Sequence, residues 1–421
     1  MKYVLVIGDG MSDRPVEALG GKTPLMTAVK PNMDRLAREG TLGTVNTCPK
    51  GFNPGTEVAV TVLMGYDPKT YFTGRGPLEA LGRGVELKKS EIAWRCNLVT
   101  VSPADLMLDY SAGHITDSEA KELMLMLDKR LGGEEINFMP GVSYRHLMIW
   151  RGGSDEVKTF APHDITGKPF RPHMPAGRGE KKLAQLIDDS RTLLEGHEIN
   201  RARRSKGLHT ANMIWPWSPG RFPKMPTIQK KYGVVGGVIS AVDIVKGIGV
   251  AAGLEVIRVP GATGYFDTNY TAKGEAAVKA LKKADFVVVH VEAPDEAGHE
   301  GLEGEKVKAI EQIDEKVLGA ILKAQPKLGD LSIMVMPDHA TPISVKGHVD
   351  DLVPFIIWRS NALVASGVSG YDEESAKAAP LKVDEGWKLM DSFFLPAGAA
   401  PVPAPVADAP GGPVTPSTPP A

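Results

Sequence analysis

Asp285-Phe-Val-Val-Val-His-Val291 is the stretch that decides the fold. A mostly apolar run of this length, ending at Glu292-Ala-Pro294, reads as a buried strand rather than a helix. Ser332 to Met336, closed by Pro337, repeats the pattern, and so does Tyr3 to Ile7, turned by Gly8-Asp9-Gly10. Between the later two runs, Ala272 to Lys283 and Glu303 to Ala324 carry apolar residues three and four apart, the spacing of helices. A further helix is expected at Asn32 to Glu39, stopped by Gly40. Strand, helix, strand, helix in sequence predicts an α/β protein with a mostly parallel sheet flanked by helices.

The middle of the chain is different. It has shorter strand-like runs, many Arg and His, and Pro-rich joints at Pro162, Pro169, Pro172 and Pro175. We therefore expect residues 1–88 and 225–395 to form one domain and residues 89–224 a smaller inserted α+β domain. Gly247-Ile-Gly249 misses the dinucleotide fingerprint by one residue and reads instead as a Gly-rich helix that packs closely. From Pro396 onward the chain holds nine prolines, one charge and no aromatic residue, too little to offset the entropy of ordering, so residues 396–421 are expected to be a disordered tail.

Composition excludes several classes. The 421 residues include 49 Lys+Arg and 51 Asp+Glu, a net charge of −2, too balanced for a protein that coats nucleic acid or an anionic membrane. Two cysteines, Cys48 and Cys96, cannot frame a chain of this length, which points to a reducing cytoplasmic setting. The first apolar run stops at Gly8, short of a signal-peptide core, and no stretch reaches the ~20 apolar residues that cross a bilayer. Nothing in the sequence addresses oligomeric state.

Ligands of open α/β sheets bind at the carboxyl ends of the strands. Asp9 follows the first strand, Asp295 and His299 follow Phe286 to Val291, Asp338-His339 follows Ser332 to Met336, and His348 precedes the apolar run Phe355 to Trp358. His290 lies inside a strand and is read as core. Singly, each Asp is an ordinary turn former. Together, three aspartates and three histidines at the strand ends of one sheet form an oxygen-and-nitrogen donor set that suits Mn²⁺ or Zn²⁺, and Mg²⁺ less well. Six ligands exceed the need of one catalytic ion, so two divalent ions are expected. Two dications against three carboxylates leave a residual positive charge that favours phosphate, the arrangement for in-line phosphoryl transfer. Such a reaction needs a hydroxyl nucleophile. Thr56 in Gly55-Thr56-Glu57 is the candidate, expected to cap a helix running to Met64.

In order along the chain stand Asp9-Gly10, Gly55-Thr56-Glu57, Gly65-Tyr66-Asp67-Pro68, Gly74-Arg75-Gly76, Asp295-x-x-Gly-His299, Asp338-His339 and Gly347-His348…Pro354. This spaced set resembles the archaeal-type cofactor-independent phosphoglycerate mutases of the alkaline phosphatase superfamily, over residues 1 to 395. The resemblance implies interconversion of 2-phosphoglycerate and 3-phosphoglycerate through a phosphoenzyme, without 2,3-bisphosphoglycerate, on a small phosphorylated three-carbon acid. It implies that Asp295, His299 and His348 hold one metal and that Asp9, Asp338, His339 and the Thr56 hydroxyl hold the other. It further implies an oxyanion grip from Arg95, Asn97, Arg145, Arg203 and His163, with Lys231 or a nearby Arg, such as Arg203, neutralising the leaving oxygen. The match departs at Thr56, where the family pattern carries Ser; the extra methyl restricts the side chain's first torsion.

The metal-ligand pattern alone does not separate a mutase from a metal-dependent phosphatase or another phosphomutase of the superfamily. The length and Arg content of the inserted segment favour a mutase. A sensor that keeps the fold without catalysis is the remaining rival, and the complete ligand set argues against it.

Overall fold

The computed structural model describes residues 1–394; the expected tail, 396–421, lies outside them. Fifteen strands follow in chain order: β1 Lys2–Gly8, β2 Thr41–Val45, β3 Glu91–Val101, β4 Met107–Asp109, β5 Ile136–Val142, β6 Arg145–Arg151, β7 Val157–Lys158, β8 Ala176–Gly177, β9 Met213–Gly220, β10 Gly236–Ile239, β11 Glu255–Val256, β12 Phe286–Val291, β13 Leu331–Met336, β14 Val353–Arg359 and β15 Leu381–Val383. Eight of them make the main sheet, in the order β11-β10-β12-β1-β13-β14-β2-β15. All neighbours are parallel except at β14, which runs against both β13 and β2. The sheet is thus mostly parallel, and its carboxyl edge gathers the ends of β1, β12 and β13 with the start of the reversed β14.

The central strands are mostly apolar on both faces because both faces are covered. Val4 and Val6 enter the core on one face, with Val287, Val289, Ile333 and Val335. Leu5 and Ile7 enter the core on the other, with Val288, Met334 and Met336. Alternate side chains of a strand point to opposite faces, so one six-residue run serves two layers.

The expected helices form with small shifts: Pro31–Glu39 and Tyr270–Leu281. The long segment from Glu303 is helical to Leu328 but includes a π turn at Ile313–Leu318. From that turn Asp314 accepts the backbone N–H groups of Asn32 at 3.1 Å and Met33 at 2.6 Å, satisfying the amino end of the 31–39 helix. Residues 243–251 form the Gly-rich helix, and it packs on the helix Arg75–Gly82 at van der Waals limit. A Cβ on Gly247 would stand 1.7 Å from the Leu78 carbonyl oxygen, and one on Gly82 would stand 1.9 Å from that of Asp243. Gly247→Ala must push two backbones apart. We expect a loss of about 3 kcal/mol or more, read as a lowered urea midpoint.

Between residues 91 and 220 the chain builds a second, antiparallel sheet, β4-β3-β6-β5 with β9 on the other side of β3, and a two-stranded ribbon of β7 and β8. Its own core includes Trp94, Leu98, Leu123, Phe170, Leu183, Ile187 and Trp215. Among the described residues no helix is long and apolar enough to cross a membrane.

Candidate active site

Asp295 and His299 sit four apart on the helix Ala293–Glu300, which follows β12, and so share one face. Asp295 Oδ2 lies 3.2 Å from His299 Nε2, and Asp295 Oδ1 lies 3.4 Å from Nε2 of His348, carried by the loop before β14. The two Nε2 atoms are 3.0 Å apart. Their outer nitrogens face backbone carbonyls, His299 Nδ1 that of Lys346 at 3.1 Å and His348 Nδ1 that of Pro54 at 3.4 Å. Three donors thus converge on one point.

A second set meets beside it. His339 Nε2 is 3.3 Å from Asp9 Oδ1, 3.5 Å from Asp338 Oδ2 and 3.3 Å from Thr56 Oγ1. Asp338 Oδ1 is spoken for by the N–H groups of Gly10 at 3.2 Å and His339 at 3.0 Å. The rings of His339 and His348 are 4.0 Å apart, so the sets adjoin. Thr56 is the first residue of the helix Thr56–Leu63, not its cap; Gly55 takes the cap position, in extended backbone. This one-residue shift releases the Thr56 hydroxyl from backbone capping and leaves it facing His339.

Sequence reasoning left His290 to the core and overlooked Glu292. His290 is buried, yet its Nε2 points at Asp9 Oδ2 from 3.0 Å, and Glu292 closes a third grouping with the same two residues. The strand-end rule that found Asp9 would also have flagged Glu292, which follows β12 directly. Asp9 Oδ1 and Oδ2, Asp338 Oδ2, His290 Nε2 and Glu292 Oε2 are buried without a hydrogen-bond partner. Orphaned buried carboxylate oxygens are costly, and a cluster of them beside imidazole nitrogens fits divalent cations held by mixed ligands.

The charge states agree. Burial, then the neighbouring Asp338, push Asp9 well above the usual carboxylate range, and burial followed by Asp295 raises Glu292 to about 8. Burial works the other way on imidazoles and drops His290 to about 4. For Asp295 burial is outweighed by hydrogen bonds from His299 and His348, which hold it well below its ordinary value. His299 is lifted to about 9, chiefly by its hydrogen bond to Asp295. In metal-stripped protein His299 therefore carries a proton at neutral pH, and an incoming cation must displace it. Affinity at the Asp295 set should climb between pH 6.5 and about 9, with proton release on binding that isothermal titration in two buffers will read. The His299–Asp295 pair stabilises metal-stripped protein fully below about 6.5 and no longer above about 9, so its melting point should fall over the interval in which cation affinity rises.

The second sheet faces this edge. Tyr110 feels the charge of Glu296, on the 293–300 helix, and Glu296 in turn feels that of Arg145. Arg145 is exposed and lies over the Tyr144 ring, with no ion pair among the described residues. His163 is half-exposed, edge-on to Trp217 and Tyr110, and the water those neighbours exclude, with the field of Arg75 and Arg95 and against Asp164, lowers its pKa. Other expected groups are engaged elsewhere. Arg95 is buried in an ion pair with Glu79 and lies over Trp217. Asn97 donates to the Tyr110 carbonyl and accepts from Trp217 Nε1. Arg203 is paired with Glu119 at 2.8 Å and donates to the carbonyls of His209, Ala112 and Gly113, so it fastens a loop rather than presenting a free fork. Asp109 organises that same loop through Ser111 and Gly113, and His114 stacks edge-on to Tyr144. Lys231 does not reach the site. Its ammonium binds the Gly65 carbonyl, beyond the far end of the Thr56–Leu63 helix, an eight-residue span of about 12 Å at ordinary rise.

Arg75, quoted in the sequence only as part of Gly74-Arg75-Gly76, stands nearer. It begins the 75–82 helix, its closest carboxylates, Glu57 and Glu79, are each 3.6 Å away, and its Nε is buried without a partner.

A mostly parallel sheet whose carboxyl edge presents two adjoining donor sets and a helix-borne hydroxyl defines an α/β protein with a candidate metal-binding site at its strand ends. Residues 37–200 match the model of the 2,3-bisphosphoglycerate-independent phosphoglycerate mutase family. The chain is 49% identical over 381 residues to the 2,3-bisphosphoglycerate-independent phosphoglycerate mutase of Methanosarcina acetivorans, covering 90% of this chain and 95% of that one. A solved protein of Pyrococcus horikoshii superimposes with a TM-score of 0.78 at 28% identity, over 93% of this chain and 96% of its own. The cofactor-independent phosphoglycerate mutase of Thermoplasma acidophilum does so with 0.64 at 27% identity, over 94% and 99%. The chain belongs to the 2,3-bisphosphoglycerate-independent phosphoglycerate mutase family.

Proposed function

We propose that this chain interconverts 2-phosphoglycerate and 3-phosphoglycerate, with no 2,3-bisphosphoglycerate, by passing the phosphoryl group through Thr56. The observation that carries the reading is the Thr56 hydroxyl, 3.3 Å from His339 Nε2, at the amino end of a helix and against one of two adjoining donor sets. Asp295, His299 and His348 would hold one divalent cation, and Asp9, Asp338, His339 and Thr56 the other, with Mn²⁺ best matched to these donors and Zn²⁺ or Mg²⁺ able to substitute. Such ions, when bound, make a hydroxyl a better nucleophile and neutralise phosphate charge.

The rest falls to the protein. The helix amino end at Thr56 favours an anion. Thr56 Oγ1 bonds to phosphorus as the bond from phosphorus to the glycerate oxygen breaks. The proton lost by Thr56 is balanced by the one the departing oxygen gains. Arg75 takes the place expected of Lys231 and offsets charge on that oxygen. Arg145 and His163 meet the carboxylate from the opposite wall, while Arg95, Asn97 and Arg203 brace that wall from behind. Glycerate then turns, and its other hydroxyl takes the phosphoryl group back from Thr56. Residues 89–224 would act as a domain that closes over 1–88 and 225–395 and keeps water from the phosphoenzyme. The unpaired Cys48 and Cys96 agree with a cytoplasmic location.

The test is formation of 2-phosphoglycerate from 3-phosphoglycerate, followed through enolase without 2,3-bisphosphoglycerate. Turnover that needs added Mn²⁺ and stops with chelator supports the reading. Release of inorganic phosphate in place of isomerisation would make the chain a phosphatase.

A further inference from the structure

We infer that Thr341 is a positioning residue whose single hydroxyl ties the two cation-binding sets together. The inference rests on the donor sets just proposed. Thr341 is fully buried in the loop after Asp338-His339. Its Oγ1 hydrogen-bonds to Asp295 Oδ1, a member of the first set, and lies 3.2 Å from His339 Nδ1, a member of the second. A hydroxyl has one proton to give. It donates to Asp295 Oδ1, so the proton goes there. The oxygen's lone pair is then left facing His339, whose Nδ1 must carry hydrogen. That fixes the tautomer and leaves the lone pair on Nε2, which faces Asp9, Asp338 and Thr56.

His299 and His348 each take their orientation from a separate backbone carbonyl, those of Lys346 and Pro54. His339 alone of the three relies on a side chain that also serves the other set. The surroundings hold that side chain still. The buried ammonium of Lys306 donates to the Thr341 carbonyl at 2.8 Å and to Asp13 Oδ2 at 2.7 Å, pinning the loop to the end of β1. Glycines at 10 and 298 leave the space. A Cβ on Gly10 would stand 2.5 Å from Thr341 Oγ1 and 2.6 Å from Asp295 Oδ1, and one on Gly298 would stand 2.4 Å from the Thr341 carbonyl.

One hydroxyl serving two sets has a signature that a local packing role lacks. Thr341→Val keeps the shape and removes the hydroxyl. It should weaken Mn²⁺ binding at both sets by roughly 10- to 100-fold, measured by chelator competition on metal-stripped protein without substrate, and Thr341→Ser should restore both. Loss at one set only, or no loss, overturns the inference. A second measurement needs no variant. Nitrogen NMR of the metal-stripped wild-type protein should show His339 protonated at Nδ1, and protonation at Nε2 alone overturns it. Neither readout involves turnover, so a failure of the mutase assignment would leave both intact.

Discussion

Thr56→Ala lowers kcat by roughly 10⁴- to 10⁶-fold, the scale seen when a covalent nucleophile is removed. The expectation follows from position. No other hydroxyl of the described residues shares the point where His339 Nε2, Asp9 and Asp338 meet; the Thr341 hydroxyl is on the far side of the His339 ring, at Nδ1. Rapid quench of the wild type with 3-phosphoglycerate should trap phosphothreonine at residue 56. Thr56→Ser should trap phosphoserine and turn over at least as fast, since a methyl that restricts the side-chain torsion is gone. The three ligands around Asp295 do not include Thr56, so the alanine variant should still bind one cation with near-normal affinity. Undiminished turnover in that variant would remove the phosphothreonine route.

Arg75→Ala is the second large effect, a loss of about 10²- to 10³-fold in kcat/KM, the scale for removing one preorganised group from developing charge. Its guanidinium is held loosely, 3.6 Å from Glu57 and from Glu79, and the pull of these carboxylates, with Glu292, outweighs burial and keeps it charged. Arg95, by contrast, is locked onto Glu79. A loosely paired, partly desolvated arginine has donors to offer an incoming phosphate; a locked one does not. Arg75→Lys should recover part of the rate, because the charge returns without the planar fork. Metal content should match the wild type in both. Lys231→Ala should leave kcat nearly unchanged, since its ammonium closes the far end of the 56–63 helix. The reverse ranking of Arg75 and Lys231 would restore the leaving-oxygen role first assigned to Lys231.

The clustering of the candidate ligands could be read from sequence because the polar residues of a parallel sheet gather at strand ends. β1, β12 and β13 are short, largely apolar runs, and the polar residue that follows one of them directly stands at the carboxyl edge. That is why Asp9, Asp295, Asp338 and His339 could be named without a structure. His290 escaped because it sits inside such a run, where a histidine looks like a core residue until the register opposite Ile7 brings it next to Asp9. The basic residues resisted for another reason. An arginine fork spans several ångströms and can satisfy itself on carbonyls, as Arg203 does, or on a carboxylate, as Arg95 does. Residue type and spacing do not reveal which guanidinium is left loosely paired, and only the packing of the 75–82 helix against β3 and β9 shows that Arg75 is. The reversal of β14 was equally hidden, because an antiparallel strand buried on both faces carries the same apolar run as a parallel one.

The central claim is that two cations lie side by side, one of them against Thr56, and anomalous diffraction from crystals grown with Mn²⁺ tests it most directly. The account predicts two peaks per chain, one among Asp295, His299 and His348, the other among Asp9, Asp338, His339 and the Thr56 oxygen. A single peak, or a pair in which neither ion touches Thr56, would contradict it.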